Sequence, residues 1–259
     1  RRPPKSTLSS SSAASDVYKR QLYFLGMEHD NNPQSVVYEE IKGKLDYFID
    51  KYNQSKITAV IESYIPPLKS EQEMISEFGA SGFLTFQANK LNIPVCCPEP
   101  PKEYCLMKAV EKYDYSPLKV WLWLFLNVLY YSLGDKGNLD VSKIKNLLWV
   151  RNYGQQIFKL NDYTFIIKEL ERLLDKKLPT TIENLTEIKF DPQTIYKLQT
   201  PFLKENYLND IGNVINLERD RYITKQIINL LSEEKAVFAL FGHNHAIAQE
   251  PAYLEYLKI

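Results

Sequence analysis

The sequence has few cysteines, glycines and histidines, and each scarcity argues against a class of site. Its 259 residues include three Cys, nine Gly and three His. Three cysteines, of which Cys96 and Cys97 are adjacent, make no disulfide framework and lack the Cys-x-x-Cys spacing of structural zinc. The stretch Gly79-Ala-Ser-Gly82 lacks both the spacing and the following Lys-Ser/Thr of a phosphate loop. The sequence therefore argues against a disulfide-stapled scaffold, a cysteine-based zinc site and a P-loop.

Long apolar runs are also lacking. The most apolar stretch, Trp121 to Tyr131, falls short of the roughly 20 apolar residues that a bilayer span needs. It contains Asn127 and lies between Lys119 and Asp135. We predict a buried helix here, with the lining of a hydrophobic substrate groove as the alternative, and we find no firm membrane signal.

Residues 1–21 are expected to be foreign to the protein. The run from Ser11 to Gln21 resembles an in-frame translation of a transposase sequencing adapter. A natural Ser-rich disordered tail is the alternative. On the first interpretation the native N-terminus, with any signal peptide, is missing. Localisation is then open, with the cytoplasm as the default.

The charge balance is mildly acidic once this tail is set aside. The whole chain has 32 Lys and Arg against 32 Asp and Glu. Removing the five basic residues and one acidic residue of the tail leaves 27 against 31. No basic cluster is interleaved with aromatic residues, which argues against nucleic acid as a main partner. We expect a small-molecule or peptide substrate, and the oligomeric state is not indicated.

Residues 22–259 are predicted to form a single α/β domain. Short apolar runs typical of strands alternate with segments of helical period, which favours a largely parallel β-sheet core flanked by helices. The predicted strands are Leu22 to Leu25, Ile57 to Ile61, Ile93 to Cys97 and Ala236 to Phe241, and the first two helices are Tyr38 to Tyr52 and Ser70 to Leu91.

The middle of the chain, about 102–215, is predicted to be a mainly helical insertion or cap. Its segments of helical period, together with the one that follows, are Glu103 to Tyr113, Leu118 to Leu133, Val141 to Val150, Tyr163 to Leu174 and Glu218 to Leu231. A short final helix is expected from Pro251 to Ile259.

All three histidines lie in two short turns, each directly after a predicted strand. His29 lies three residues after Gly26, and His245 lies three residues after Gly242, with His243 between them. Glycine permits a positive φ and a close approach of a ligand to the backbone. Because the carboxyl ends of parallel strands form the binding crevice of an α/β sheet, we expect the two turns to share one face.

Two acidic residues follow the other strands in the same way. Glu62 comes directly after one apolar strand, and Glu99 follows the next. A carboxylate at such a position is costly unless it is paired, hydrogen-bonded or bound to a cation. The strand ends would then present His29, Glu62, Glu99 and His245, which is a usual ligand set for zinc, manganese or non-haem iron.

The sequence offers four further candidate residues. Glu28 is a candidate general base on metal-bound water. Arg219 is either a surface charge at a helix N-terminus or an anion clamp. His243 and Glu77 are candidate supporting residues, although Glu77 is more often a solvated residue of a helix. A structural histidine is the ordinary alternative for His29 and His245, as is a strand-terminal carboxylate capping the next helix for Glu62.

These motifs resemble the superfamily that joins the TraB/PrgY/GumN proteins, the TIKI metalloproteases, the erythromycin esterases and the ChaN haem-binding proteins. Leu25-Gly-Met-Glu-His29 resembles the first Gly-x-x-His motif, Val60-Ile-Glu62 the strand with its glutamate, and Phe241-Gly-His-Asn-His245 the second motif. Leu217-Glu-Arg-Asp220 resembles the family's Arg-Asn or Arg-Asp element. The metalloprotease members imply a divalent metal bound by both histidines and a glutamate, whereas the esterase members imply hydrolysis centred on histidine.

We therefore predict a metal-dependent hydrolase that resembles a peptidase or amidase. His29, Glu62 and His245 would hold a divalent ion (Zn, Mn or Co), with Glu28 or Glu99 as the base. One alternative is a metal-free, esterase-like hydrolase in which His29 is the base. Another is a non-catalytic haem-binding, ligand-binding or regulatory protein that uses one histidine and the aromatic helix from Trp121 to Tyr131.

Overall fold

The predicted strands form one sheet in the computed structural model, which describes residues 21–27, 30–134, 136–160, 163–233 and 235–257. The strands are β1 (Gln21–Met27), β2 (Ile57–Ile61), β3 (Val95–Cys96) and β4 (Ala236–Gly242). They are parallel and lie in the order β1-β4-β2-β3. The α/β fold with a parallel sheet flanked by helices is confirmed. Gln21, which we assigned to the foreign tail, is the first residue of β1, and residues 1–20 lie outside the described part.

The chain divides into two compact units. The sheet unit comprises the described residues up to Pro100 together with those from Arg219 onward, and the helical unit is Pro101–Glu218. The helices are α1 (Val37–Lys51), α2 (Glu71–Lys90), α3 (Lys102–Glu111), α4 (Pro117–Ser132), α5 (Ile144–Phe158), α6 (Thr164–Leu174), α7 (Pro192–Gln199), α8 (Tyr207–Ser232) and α9 (His243–Leu257). Short 3-10 turns cover Gln54–Lys56, Val141–Lys143 and Glu183–Glu187.

The sheet is covered by helices on both faces. Successive side chains of a strand point to opposite faces, and all of β4 is buried. Phe238 and Leu240 belong to a core with residues of α1 and α2. Val237 and Ala239 belong to a second core, with the part of α8 that lies in the sheet unit and with α9. The strand ends that carry the candidate residues are thus held by a layer of helices on each side.

A kink in α2 supports the segment that follows the first Gly-x-x-His motif. Gly79 has φ 55° and ψ −137°, a conformation that strongly favours glycine. A Cβ at this position would lie 2.8 Å from Oδ1 of Asn31 and 3.0 Å from the carbonyl oxygen of Asp30. Asn31 in turn donates a hydrogen bond to the carbonyl of Ser76. The glycine therefore allows the connection between β1 and α1 to pack directly on the kink.

The aromatic stretch Trp121 to Tyr131 lies within α4 in the core of the helical unit. Trp121, Leu122 and Phe125 are fully buried. The Trp121 indole donates to the carbonyl of Val150 and packs so closely on Gly154 that a Cβ there would lie 2.0 Å from its Nε1. The prediction of a buried helix is confirmed, and the alternative of a groove lining is wrong for these three side chains. Within the described residues, no helix is both long and apolar enough to cross a membrane.

Two predicted helix boundaries are wrong. α8 begins at Tyr207 rather than at Glu218, and α9 begins at His243 rather than at Pro251. Proline suits a first helical turn and disfavours a helix interior, so Pro251 was a misleading start signal. The helix α7 was not predicted, although Asp191 followed by Pro192 is a typical helix start and the Asp191 side chain does cap it.

Candidate functional site

The end of β2 and the end of β4 meet at the carboxyl edge of the sheet. Their pairing matches Ile61 with Leu240, so the residues that follow these two positions emerge side by side. The backbone N–H of Gly242 donates to Oε2 of Glu62 at 2.6 Å. Glu62 is only 8% exposed. The parallel register therefore brings the glutamate after β2 to the second Gly-x-x-His motif.

Arg219 of α8 is at the centre of the group. Its Nε and Nη2 donate to the two oxygens of Glu99 at 2.7 and 2.5 Å, a bidentate pair. Its Nη2 also donates to Oε1 of Glu62 at 3.0 Å, and its Nη1 lies 2.6 Å from Nε2 of His245. Arg219 lies well inside α8, so the expectation of a surface charge at a helix N-terminus is wrong.

Asp220 fixes the chemistry of the His245 ring. Nδ1 of His245 lies 2.7 Å from Oδ1 of Asp220. A carboxylate only accepts hydrogen bonds, so Nδ1 carries a hydrogen, and the Arg219 guanidinium only donates, so Nε2 presents its lone pair. His245 is thus a neutral imidazole whose Nε2 can act as a base or as a metal ligand.

We call Glu62, Glu99, Arg219, Asp220 and His245 the acid–arginine cluster. Their side chains are between 11% and 24% exposed. The cluster contains three carboxylates and one guanidinium, so its formal charge is −2 when His245 is neutral. The cluster is therefore an electronegative site with little solvent screening.

The charges of the cluster shift the pKa values of two of its members. Burial acts to raise the pKa of Glu62, but the Arg219 guanidinium and the Gly242 N–H together hold it below its usual value. Burial acts to lower the pKa of Arg219, whereas its hydrogen bonds to and the charges of Glu99 and Glu62 raise it above its usual value. Both groups are accordingly charged at neutral pH.

Glu99 is held by backbone as well as by Arg219. The N–H of Ser63 donates to Oε1 of Glu99 at 3.2 Å. Ser63 follows Glu62 directly and has a φ of 80°, so the chain turns sharply after β2. The Cys97 thiol donates to the carbonyl of Ser63 at 3.0 Å. These contacts join the end of β2 to the segment after β3.

The predicted site residues fall into four groups. Glu62, Glu99, Arg219 and His245 lie together. Glu77 is exposed and pairs with Lys69 at 2.6 Å, away from these contacts. His243, predicted as a supporting residue, is the first residue of α9. Glu28 and His29 lie outside the described residues.

The motif glycines have a different role from the predicted one. Gly26 lies within β1 and Gly242 is the last residue of β4, whereas the positive φ angles of described glycines occur at Gly79 and Gly137. A Cβ on Gly26 would lie 2.6 Å from Cβ of Ala246 and 3.2 Å from Cα of His243. Gly26 is therefore required for the close packing of β1 against the first turn of α9.

Three residues behind His245 were not predicted from the sequence. Asp220 was quoted in the Arg-Asp element but was not assigned to the site. Gln249 donates to Oδ1 of Asp220 at 2.7 Å, and the Tyr253 hydroxyl donates to Oε1 of Gln249 at 2.7 Å. The spacing of His245, Gln249 and Tyr253 by four residues would have indicated one helix face, had α9 been predicted to begin before Pro251.

The donor atoms of the cluster fit a divalent cation in part. Nε2 of His245 and Oε1 of Glu62 lie 3.6 Å apart, a separation compatible with two ligands that each bind one ion at about 2 Å. The Asp220 contact at Nδ1 is the support usually found behind a metal-binding histidine. No group of three or more His, Cys, Asp or Glu arranged to hold a metal occurs among the described residues, a set that does not include His29.

Comparison of the chain with protein-family models, with curated proteins and with solved structures gave no match.

Proposed function

We propose that this chain is a metal-dependent hydrolase of peptide or amide bonds, with the acid–arginine cluster as its reacting centre. The observation that carries the proposal is the 3.6 Å separation of Nε2 of His245 and Oε1 of Glu62, with Nδ1 of His245 fixed by Asp220. The resemblance to the TIKI metalloproteases implies the same pair of ligands, and it adds His29 as the third.

The charge of the cluster supports a bound cation. When His245 is neutral, the cluster has a formal charge of −2, which one divalent ion would neutralise. Carboxylates this little exposed are costly without a counter-charge. A divalent ion bound here would polarise the scissile carbonyl and lower the pKa of a bound water.

Arg219 and the ion would compete for the same atoms. Nη1 of Arg219 lies 2.6 Å from Nε2 of His245, so this contact must open before Nε2 can bind a metal. The bidentate pair with Glu99 can persist. Glu99 would then hold the guanidinium beside the metal, where it stabilises negative charge that develops on the substrate oxygen.

This arrangement favours Glu28 over Glu99 as the general base. Both oxygens of Glu99 already accept hydrogen bonds from Arg219, and Oε1 accepts another from Ser63. Such a carboxylate is poorly disposed to take a proton from water. We assign Glu99 to holding Arg219, and Glu28 keeps its predicted role as the base.

The experiment is a metal-reconstitution assay on the purified full chain. Metal content is measured by elemental analysis, and hydrolysis of an internally quenched peptide is followed before chelation, after chelation and after addition of Zn²⁺, Mn²⁺ or Co²⁺. We expect chelation to abolish turnover and one of these ions to restore it. His245→Ala and Glu62→Gln should each lower kcat/KM by more than about 100-fold, since loss of a partner behind a metal ligand already costs about 10- to 100-fold.

Glu233→Gln is the matched control, because Glu233 is an exposed carboxylate of the sheet unit that pairs with Lys235. It should leave kcat/KM unchanged. Undiminished activity in metal-free protein, or unchanged activity in His29→Ala or His245→Ala, would rule out the proposal.

The contact between Asp220 and His245 favours one second candidate, a metal-free esterase-like hydrolase. A histidine that is held at Nδ1 by a carboxylate and presents Nε2 to the site has the orientation of a general base. The metal-free alternative predicted from the sequence has His29 as the base, whereas this geometry describes His245. Activity on a p-nitrophenyl ester that resists chelation but is lost in His29→Ala or His245→Ala would support this candidate over the first.

A further inference from the structure

A chain of hydrogen bonds runs behind His245, between α8 and α9. The Tyr253 hydroxyl donates to Oε1 of Gln249, and Nε2 of Gln249 donates to Oδ1 of Asp220, each at 2.7 Å. The same Oδ1 accepts Nδ1–H of His245 at 2.7 Å. We call Tyr253, Gln249 and Asp220 the relay. Gln249 is 1% and Tyr253 4% exposed, so water has little access to it.

The hydrogen bonds of the relay are donated in one direction, from Tyr253 to Gln249 and from Gln249 to Asp220. Burial raises the pKa of Tyr253 above its usual value; a hydrogen bond with Thr224 acts to lower it, and the charge of Asp220 acts to raise it. The phenol therefore keeps its proton and donates a hydrogen bond to Oε1 of Gln249. The amide oxygen of Gln249 is thereby turned to the phenol, and its NH₂ group is turned to Asp220.

This direction supports the hydrogen on Nδ1 of His245, which the contact with the Asp220 carboxylate requires. With the amide NH₂ facing it, Asp220 is held as an acceptor, and Nδ1 of His245 must be the donor. A reversed amide would put the Gln249 oxygen against the Asp220 carboxylate, which is repulsive. That repulsion would favour rotation of Asp220 away from Nδ1, after which the imidazole could carry its hydrogen on either nitrogen.

We propose that Gln249 and Tyr253 are positioning residues, which act through Asp220 to keep the hydrogen of His245 on Nδ1 and the lone pair of Nε2 directed into the acid–arginine cluster. The proposal rests on the proposed function, in which the lone pair of Nε2 binds the metal ion. It goes beyond that function by assigning two buried residues of α9 that touch neither a substrate nor a metal.

Packing alone does not explain these residues. α9 also contributes the apolar residue Leu257 to the core behind the sheet, and Tyr253 packs its ring on Phe24 with a centroid distance of 5.4 Å. A buried amide is costly unless it is hydrogen-bonded, so an apolar side chain at position 249 would fill the space without that cost. The relay is thus better explained by what it does for Asp220.

The test is a nitrogen NMR measurement on the chelator-treated full chain labelled at histidine. The sequence has only three histidines, so substitution of each assigns the signals. In the unsubstituted protein we expect the His245 pattern of a neutral ring protonated at Nδ1. In Tyr253→Phe and Gln249→Leu the two His245 nitrogen shifts should move towards each other, as in a mixture of tautomers. Activity should fall in kcat by about two- to tenfold for Tyr253→Phe, the size expected for one net hydrogen bond, with KM unchanged.

Tyr163→Phe is the control for loss of a buried hydroxyl. The Tyr163 hydroxyl is buried and has no hydrogen-bond partner among the described residues, so its removal should leave the His245 shifts and kcat as they are. Unchanged His245 shifts in both relay variants, with folding intact by circular dichroism, would overturn the positioning role. If the shifts change while no hydrolysis is found in any form, the relay stands and the proposed function fails.

Discussion

Replacing Arg219 by Met should destabilise the protein strongly at neutral pH. The substitution keeps much of the side-chain volume but removes two hydrogen bonds to Glu99 and those to Glu62 and His245. Two carboxylates of low exposure, Glu62 and Glu99, then lose their guanidinium. Breaking a buried ion pair on one side costs about 3–5 kcal/mol. Because Arg219 is 24% exposed, we expect the lower end, about 3 kcal/mol.

The assay is urea denaturation at pH 7 followed by two probes. Far-UV circular dichroism reports on both units, whereas the tryptophan fluorescence of Trp121, Trp123 and Trp149 reports on the helical unit alone. A loss of about 3 kcal/mol corresponds to a melting temperature lower by about 6–12 °C for a chain of this size. Lowering the pH should narrow the difference in the free energy of unfolding between Arg219→Met and the unsubstituted protein, since protonation removes the repulsion between the carboxylates.

Arg172→Met is the matched control. Arg172 pairs with Glu169 at 2.6 Å, as close as the contacts of Arg219, but its side chain is 63% exposed. Exposed pairs contribute about 0–1 kcal/mol. If Arg219→Met lost no more stability than Arg172→Met, the account of Arg219 as the buried counter-charge of Glu62 and Glu99 would be refuted. Added Zn²⁺ should stabilise Arg219→Met more than the unsubstituted protein, because the competing cation is gone.

Two further predictions concern the titration of Glu62 and the packing of Gly26. The folded-state pKa of Glu62 lies below its ordinary value of 4.5, so its contribution to stability is complete above that value and is lost as the pH falls through the lower one. The free energy of unfolding should decrease below pH 4.5, and less steeply in Glu62→Gln. Gly26→Ala should destabilise by about 1–3 kcal/mol in thermal melts, because its Cβ would meet that of Ala246 at 2.6 Å. Gly43→Ala, with nothing within 4 Å of the new Cβ, should instead stabilise α1 by about 0.5–1 kcal/mol.

Much of the sheet was predictable because its strands are short, apolar and bounded by turn residues. Ile57–Ile61 was predicted with the correct ends, and β4 extends the predicted strand by one residue, Gly242. The edge strand β3 is shorter than predicted, since only Val95 and Cys96 pair with β2. The insertion of β4 between β1 and β2 was not predicted, because local periodicity carries no information on which strands become neighbours.

The candidate site was predictable in composition but not in arrangement. Residues directly after parallel strands meet at one edge, which is why Glu62, Glu99 and His245 could be grouped from the sequence. Arg219 was predicted to be either a surface charge at a helix N-terminus or an anion clamp. Its position inside α8 brings it to the carboxylates of the site itself, and no local pattern encodes its contact with Glu62 across 157 residues of sequence.

The sequence by itself determined the α/β class, the strand ends that carry chemistry and the buried character of the aromatic helix, because each depends on a pattern of neighbouring residues. Only the tertiary structure decided the strand order, the placing of Arg219 between two glutamates, and the relay from Tyr253 to His245. These depend on contacts between distant segments, whose partners are set by which faces of α8, α9 and the sheet bury apolar surface together.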